Sequence, residues 1–332
     1  MRRSARYPGA VVRLTIAVLA GALLAGALAG CEQAGSDRAE GAAMRFTMII
    51  YDSPGNPFWT KVVNGTREMS DLLGSSVDIQ YADGDASKQR HILSSAIANQ
   101  VDGIGVALNY TDAYDDLVEQ AIDAGIPVIA FNIDDELGPD GNARMAYIGQ
   151  DMVTAGYLIA KRLIADGGLE AGDFVACPVE SPEAVYAVQR YAGVRKAFEE
   201  AGIGSEKIAT GTISLSDTTT KLTQYLLGHT ETDAVCGMGQ MPMEAAPRAC
   251  EAAGLDIPIV GFDLTRRIAE SIAAGESIAT VDQQPFYQGA FTVMQLYFYR
   301  KYGLLPCDVN TGGAIVDASN VDLVMDLADS IR

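Results

Sequence analysis

The sequence is poor in the groups that metal centres and most catalysts need. It has two histidines, His91 and His229, far apart in the chain, and no Cys-x-x-Cys pair. Without a histidine or cysteine cluster, a zinc site is excluded as a reading. There is no G-x-S-x-G elbow, no phosphate-binding P-loop, no H-E-x-x-H, and no G-x-G-x-x-G opening a helix. Basic residues are scarce: Lys and Arg total 24 against 43 Asp and Glu, for a formal charge of −19. Such an acidic chain is soluble and is a poor partner for nucleic acid. Beyond residue 30 no apolar run is long enough to span a bilayer. Tryptophan occurs once, at Trp59.

What is present begins at the N-terminus. Arg2, Arg3, Arg6 and Arg13 precede an apolar run from Leu14 to Gly30, the basic region and apolar core of a secretory signal over residues 1–30. The run ends Leu28-Ala29-Gly30-Cys31, small residues before a cysteine, as in a bacterial lipobox in which Cys31 is lipidated and becomes the first residue. Residues 31–43 are rich in Ala, Gly and charge and read as a flexible tether. Export permits disulfides, and Cys177, Cys236, Cys250 and Cys307 allow three pairings. Cys177 and Cys236 fall in strand-like runs that can lie side by side. Separately buried thiols are nevertheless the expected state.

From Met44 onward a strand–helix rhythm runs through the chain. Strands are predicted over 45–50, 77–81, 103–108, 127–131 and 146–149, with helices between them over 61–69, 88–99 and 114–124. The rhythm restarts with a helix over 150–164. Strands over 173–177, 208–215, 234–236, 257–262 and 277–281 then alternate with helices over 184–201, 218–227 and 245–253, and a long helix follows over 287–302. Ser216-Asp217 is the expected cap of the 218–227 helix. Continuous apolar strands alternating with helices imply parallel sheets covered on both faces. The length suits two domains, and two successive α/β halves make the cleft between them the natural binding site.

The residues just past each strand are the informative ones. Tyr51-Asp52-Ser53-Pro54-Gly55-Asn56-Pro57-Phe58-Trp59 forms the first strand-to-helix loop, and such loops face the ligand crevice in an open α/β sheet. Asn56, Asn109, Asn132, Gly239, Gln240, Asp263 and Gln283 occupy the same position after later strands, beside the aromatic pair Phe58 and Trp59. Amides and a carboxylate bond hydroxyls without requiring ligand charge, so a neutral polyhydroxylated ligand fits this set. Two alternatives stay open. The amides also cap helices and make turns, and the rings also pack in cores. Asp134-Asp135-Glu136 is either a carboxylate cluster or, before Gly138-Pro139-Asp140-Gly141, a solvated turn, the second being favoured.

Several segments together resemble the periplasmic sugar-binding proteins of the ribose and galactose type, the substrate-binding components of ABC importers. They are Asn56-Pro57-Phe58-Trp59, Val101-Asp102-Gly103-Ile104, Ala124-Gly125-Ile126-Pro127-Val128, Val260-Gly261-Phe262-Asp263 and Thr280-Val281-Asp282-Gln283. The resemblance implies an α/β fold of two Rossmann-like lobes with parallel sheets flanked by helices, joined by a three-crossing hinge (type I periplasmic binding protein). It implies an N-terminal lobe of 44–149 plus 284–312 and a C-terminal lobe of 150–283 plus 313–332. It carries ligand contacts onto Asn56, Phe58, Trp59, Asn109, Asp263 and Gln283, with the two rings stacking on a sugar. It implies capture of a monosaccharide or polyol outside the cytoplasm by a lipid-anchored monomer, delivery to the permease subunits of an ABC transporter, and no catalysis, cofactor or metal. Where the ribose type has Asp-Arg after the fourth strand, this chain has Asn132-Ile133. A family arginine falls at Val188, and a family asparagine at Gly239 beside Gln240. Tyr186, Glu180 and Asp52 are the groups available to fill these gaps, so ribose itself is not the expected ligand. A sensor that presents ligand to a chemoreceptor or sensor kinase would share the same lobes, and an enzyme on this fold is the less favoured alternative.

Overall fold

The computed structural model describes residues 43–211 and 214–331. The secretory signal, the lipidation of Cys31 and the tether up to residue 42 lie outside the described residues. Among those described, twelve strands form two six-stranded sheets, accompanied by nine α-helices.

The first sheet uses β1 (Arg45–Ile50), β2 (Ser76–Tyr81), β3 (Gly103–Val106), β4 (Val128–Asn132), β5 (Ala146–Gly149) and β11 (Val309–Asn310) in the order β11-β5-β4-β3-β1-β2. All of its pairings are parallel. Parallel strands need crossover connections. Here these include α1 (Pro57–Leu73), α2 (Ala86–Ala98) and α3 (Asp115–Asp123). The central strands are buried on both faces, which is why Met48, Ile49, Ile104, Val128 and Ile129 read as unbroken apolar runs.

The second sheet uses β6 (Phe174–Val179), β7 (Gly204–Ala209), β8 (Ala234–Gly237), β9 (Ile259–Phe262), β10 (Ala279–Asp282) and β12 (Ala314–Asp317) in the order β12-β10-β9-β8-β6-β7. Only the β10–β12 pairing is antiparallel. Helices α4 (Met152–Gly167), α5 (Val185–Ala201), α6 (Leu215–Gly228), α7 (Gln240–Ala253) and α8 (Arg266–Ala274) flank it. The chain leaves the first sheet after β5. It returns after β10 through α9 (Pro285–Tyr302) to β11, and crosses again to β12. Helix α9 packs on α1, and α4 packs on α5.

Four elements differ from the sequence expectation. Strand β7 lies at 204–209 rather than 208–215, because its register pairs Phe174–Val179 with Gly204–Ala209. The following helix begins at Leu215, capped by Ser214, whose side chain accepts from the Asp217 amide at 3.4 Å, so Ser216-Asp217 lies inside it. Ser214 with Asp217 three residues on is a local N-terminal signal. Helix α8 and the two-residue edge strand β11 were not expected at all. Helix α8 is nine residues long and is capped by Thr265, whose hydroxyl accepts from the Ile268 amide at 3.3 Å.

The four described cysteines are free thiols. Cys177 and Cys236 share one core cluster, Cys250 lies in another, and Cys307 is exposed, which departs from the expectation that all four are buried. Burial pushes the Cys250 thiol up to about 12 and raises that of Cys177 as well. Since the thiolate is the reactive form, iodoacetamide applied to the native chain should mark Cys307 and spare the other three. Peptide mapping reads this directly, and label at Cys177, Cys236 or Cys250 before unfolding would contradict the packing.

Candidate functional site

Both sheets turn strand carboxyl ends toward one cavity of about 340 Å³. That volume falls in the range of roughly 300–1,000 Å³ usual for small-molecule sites. Its first wall is the β1–α1 loop. Asn56 caps α1, its Oδ1 accepting from the Phe58 amide at 3.1 Å. Its Nδ2 donates to Asp52 Oδ2 at 2.7 Å, and Trp59 Nε1 donates to the same oxygen at 3.2 Å. Asp52 Oδ1 accepts from the Ser53 amide at 2.7 Å. The loop is therefore a preformed unit in which one carboxylate orients an amide and an indole.

The aromatic pair lies both in the core and at the cavity. Trp59 is 1% exposed and makes edge contacts with Tyr51, Phe58 and Phe131 at 5.3, 5.1 and 6.3 Å between ring centroids. It belongs to the core, yet it and the partly buried Phe58 line the cavity.

The floor is a buried amide network at the chain crossings. Asn132 Nδ2 donates to Gln288 Oε1 at 3.0 Å, and Gln288 Nε2 donates to Thr311 Oγ1 at 3.2 Å. The Thr311 hydroxyl donates to the Gln283 carbonyl at 2.8 Å, and Gln283 Nε2 donates to Asp263 Oδ1. Asn132, Asp263 and Gln284 have φ of 64°, 70° and 51°. Side chains rarely adopt this left-handed region, and such strain gathers at functional sites. Gln288 and Thr311 were not legible as members of this network: Gln288 lies within a helix, and Thr311 follows β11, a two-residue strand the sequence did not announce.

The second wall comes from the other half. Tyr186 and Arg190, four residues apart on α5, face inward on one side of the helix. Arg190 is 2% exposed; its Nε donates to Gln150 Oε1 at 3.0 Å and its Nη1 to the Met238 carbonyl at 2.9 Å. Its Nη2 lies 3.7 Å from Asp263 Oδ1, and its guanidinium stacks 4.3 Å above the Phe262 ring. The expectation that Val188 stands where this helix would carry an arginine is corrected: Val188 is 42% exposed and the arginine is present two residues later. Gln240 and Gly239 open α7 at the cavity edge. Glu180, just past β6, accepts from the Tyr186 hydroxyl at 3.0 Å and from the Met241 amide at 3.2 Å. Burial, followed by repulsion from Asp263, raises its carboxyl above the ordinary range. Burial also raises the Tyr51 and Tyr186 phenols, which stay protonated donors.

Of the sequence-predicted residues, Asn56, Phe58, Trp59, Asn132, Asp263, Gln283, Gln240, Tyr186 and Asp52 all line the cavity. Asn109 does not. Strand β3 ends at Val106, and Asn109 Oδ1 accepts from the Tyr114 hydroxyl at 3.0 Å instead. The Asp134–Glu136 stretch is a turn, as favoured, but Asp134 is not solvated: Arg144, 8% exposed, grips it through Nε and Nη2. Asp135 is buried and accepts from the Leu137 amide at 2.8 Å. Lys61 was missed. Its buried ammonium donates from α1 across to the Leu264 carbonyl at 2.6 Å, and burial lowers its pKa. Asn64 makes a second bond between the halves, to the Ser330 carbonyl at 2.9 Å.

Two parallel α/β halves joined by three crossings, with hydroxyl-bonding groups and ring faces between them, define a two-lobed solute-binding protein. The chain belongs to the family described as Periplasmic binding protein domain, which matches residues 47–302. It is 25% identical over 283 residues to the xylose/arabinose-binding protein XylF of Sulfolobus acidocaldarius, covering 80% of this chain and 69% of that one. It is 26% identical over 245 residues to the D-apiose import binding protein of Actinobacillus succinogenes, covering 73% and 77%. Among solved structures, a carbohydrate transporter from Acidothermus cellulolyticus 11B in complex with myo-inositol is 26% identical, with a TM-score of 0.78 over 87% of this chain and 99% of that one. The family is one of substrate-binding proteins rather than enzymes and works outside the cytoplasm. No helix among the described residues is long and apolar enough to cross a membrane.

Proposed function

We propose that the chain captures a monosaccharide or similar polyhydroxylated ligand between its lobes and delivers it to the permease subunits of an ABC importer. It acts as a monomer held at the outer face of a bacterial membrane by a lipid on Cys31. The lobes are 44–149 with 284–312 and 150–283 with 313–332. The observation that carries the reading is the cavity wall itself, where Asn132, Gln240, Asp263, Gln283 and Arg190 converge with Phe58 and Trp59. Hydroxyls take the polar groups, and ring C–H faces take the aromatics. The relatives named for xylose, arabinose and apiose, and the neighbour holding myo-inositol, support the same ligand class.

A ligand that bridges both lobes binds the closed arrangement better than the open one, and this difference shifts the population toward closure. The Lys61–Leu264 and Asn64–Ser330 bonds are the protein's own contribution to holding the lobes together. The test is thermal unfolding of the full chain against a panel of pentoses, hexoses and cyclitols. At ligand near a thousand times its dissociation constant, binding adds about 4 kcal/mol. For a chain of this size that is a rise of roughly 8–16 °C. A panel that leaves the melting temperature unchanged would overturn the polyol reading.

A further inference from the structure

The acids and bases of the cleft do not balance. Asp52, Glu180 and Asp263 line it against one guanidinium, that of Arg190. Asp263 faces Arg190 at 3.7 Å. Asp52 is held by three neutral donors within its own loop: the Ser53 amide, Asn56 Nδ2 and Trp59 Nε1. Glu180 differs from both: no guanidinium among the described residues bonds it, and two of its donors reach it from α5 and α7 rather than from its own loop. Its donors are all neutral, the Tyr186 hydroxyl, the Met241 amide and its own backbone amide, and no cation among the described residues pairs with it. Gly239 leaves room for the carboxylate, since a Cβ there would collide with both its oxygens.

We propose that the ligand supplies the missing positive charge: the cleft selects a polyhydroxylated ring carrying a primary amine, an amino sugar or an aminocyclitol, with its ammonium on Glu180. The inference rests on the polyol reading and narrows it, replacing the neutral ligand that the amide-rich strand ends suggest. A carboxylate also receives hydroxyl protons, but one with no cation beside it gains most from a charged donor. A carboxylate surrounded by donors and partly withdrawn from water is poised for a cation. Removing a lone charge from solvent is costly, and a charge-assisted bond is about twice as strong as a neutral one. The Tyr186 hydroxyl and Met241 amide keep Glu180 an acceptor aimed into the cavity. Burial raises its carboxyl, so an ammonium partner also favours the ionised form.

Titration calorimetry of the full chain with matched pairs tests this: D-glucosamine with D-glucose, D-galactosamine with D-galactose, and scyllo-inosamine with scyllo-inositol. At pH 7 the amine of at least one pair should bind about tenfold more tightly than its neutral partner, roughly what one charge-assisted bond contributes. Glu180→Gln should abolish that preference, read as the ratio of the two affinities within each pair. Amine binding should also weaken as pH falls through the raised Glu180 pKa. The groups facing it are Tyr51, Tyr186, Asp263 and Arg190, and burial raises the two phenols so that they stay protonated across this range. Tighter binding of the neutral member in every pair would overturn the amine proposal and leave the polyol reading standing. Binding of no member would overturn both. The comparison of pairs uses the unaltered chain, so it stands even if Glu180→Gln fails to fold.

Discussion

Arg190→Ala should unfold well below the parent chain. The guanidinium sits in the second lobe with its charge on Asp263, two of its donors on Gln150 and the Met238 carbonyl, and its face on Phe262. Removing it leaves Asp263, 8% exposed, without its nearest cation, bonded by the amide of Gln283 and met at longer range by the Lys61 ammonium. Breaking a buried pair from one side costs about 3–5 kcal/mol. That corresponds to a fall of roughly 6–20 °C in melting temperature for a chain of this size. The companion change decides the cause. If the loss is the stranded carboxylate, Arg190→Ala with Asp263→Asn should recover at least half of it. Arg190→Lys should recover less, because an ammonium cannot span Gln150, Met238 and Asp263 from one planar fork. Equal melting of the single and double variants would show that Arg190 acts through packing alone.

This residue also marks where sequence reasoning stopped. The strands were legible because burial on both faces makes them continuous apolar runs: 45–50 and 146–149 fall on their predicted limits. The strand ends followed, since loops after parallel strands face the crevice whatever their composition, and nine of the ten predicted ligand-binding residues reach the cavity. Arg190 had no such signal. On a helix with Arg195, Lys196 and Glu199, a single arginine reads as one more solvated charge. Only the approach of Met238 and Asp263, 48 and 73 residues away, turns its position into an interior one. Asn109 stays outside the cavity lining for the opposite reason. It follows a strand, but β3 ends early and Tyr114 takes its side chain. The position of β7 was lost because an exposed edge strand, Gly204–Ala209, carries no apolar run.

Gly193→Ala should be as damaging as any single-methyl change in the molecule, against what helix propensity alone predicts. Alanine in a helix interior is favoured over glycine by about 1 kcal/mol. At Gly193, however, α5 crosses α4 with backbone against backbone. A Cβ there would enter the Val153 carbonyl and stand 2.7 Å from the Tyr157 amide nitrogen, and Gly156 meets the Arg190 carbonyl in the same way. The first lobe repeats the arrangement, with Gly65 against the Phe286 carbonyl and Gly289 against the Val62 carbonyl where α1 crosses α9. A flexible side chain could turn aside, but a carbonyl within a helix cannot. The helices must separate, and overpacking of this kind costs about 1–3 kcal/mol, occasionally more. The net expectation is a loss near the upper figure, roughly 6–12 °C in melting temperature. Arg190 stands one turn from Gly193, so the shift also moves its guanidinium away from Asp263, and ligand-induced stabilisation should shrink with it. Gly228 is the control. It ends α6 with nothing near its added methyl, so Gly228→Ala should hold or slightly raise the melting temperature. If Gly193→Ala melts as Gly228→Ala does, the crossing has slack, and α5 is not what holds Arg190 at the cleft.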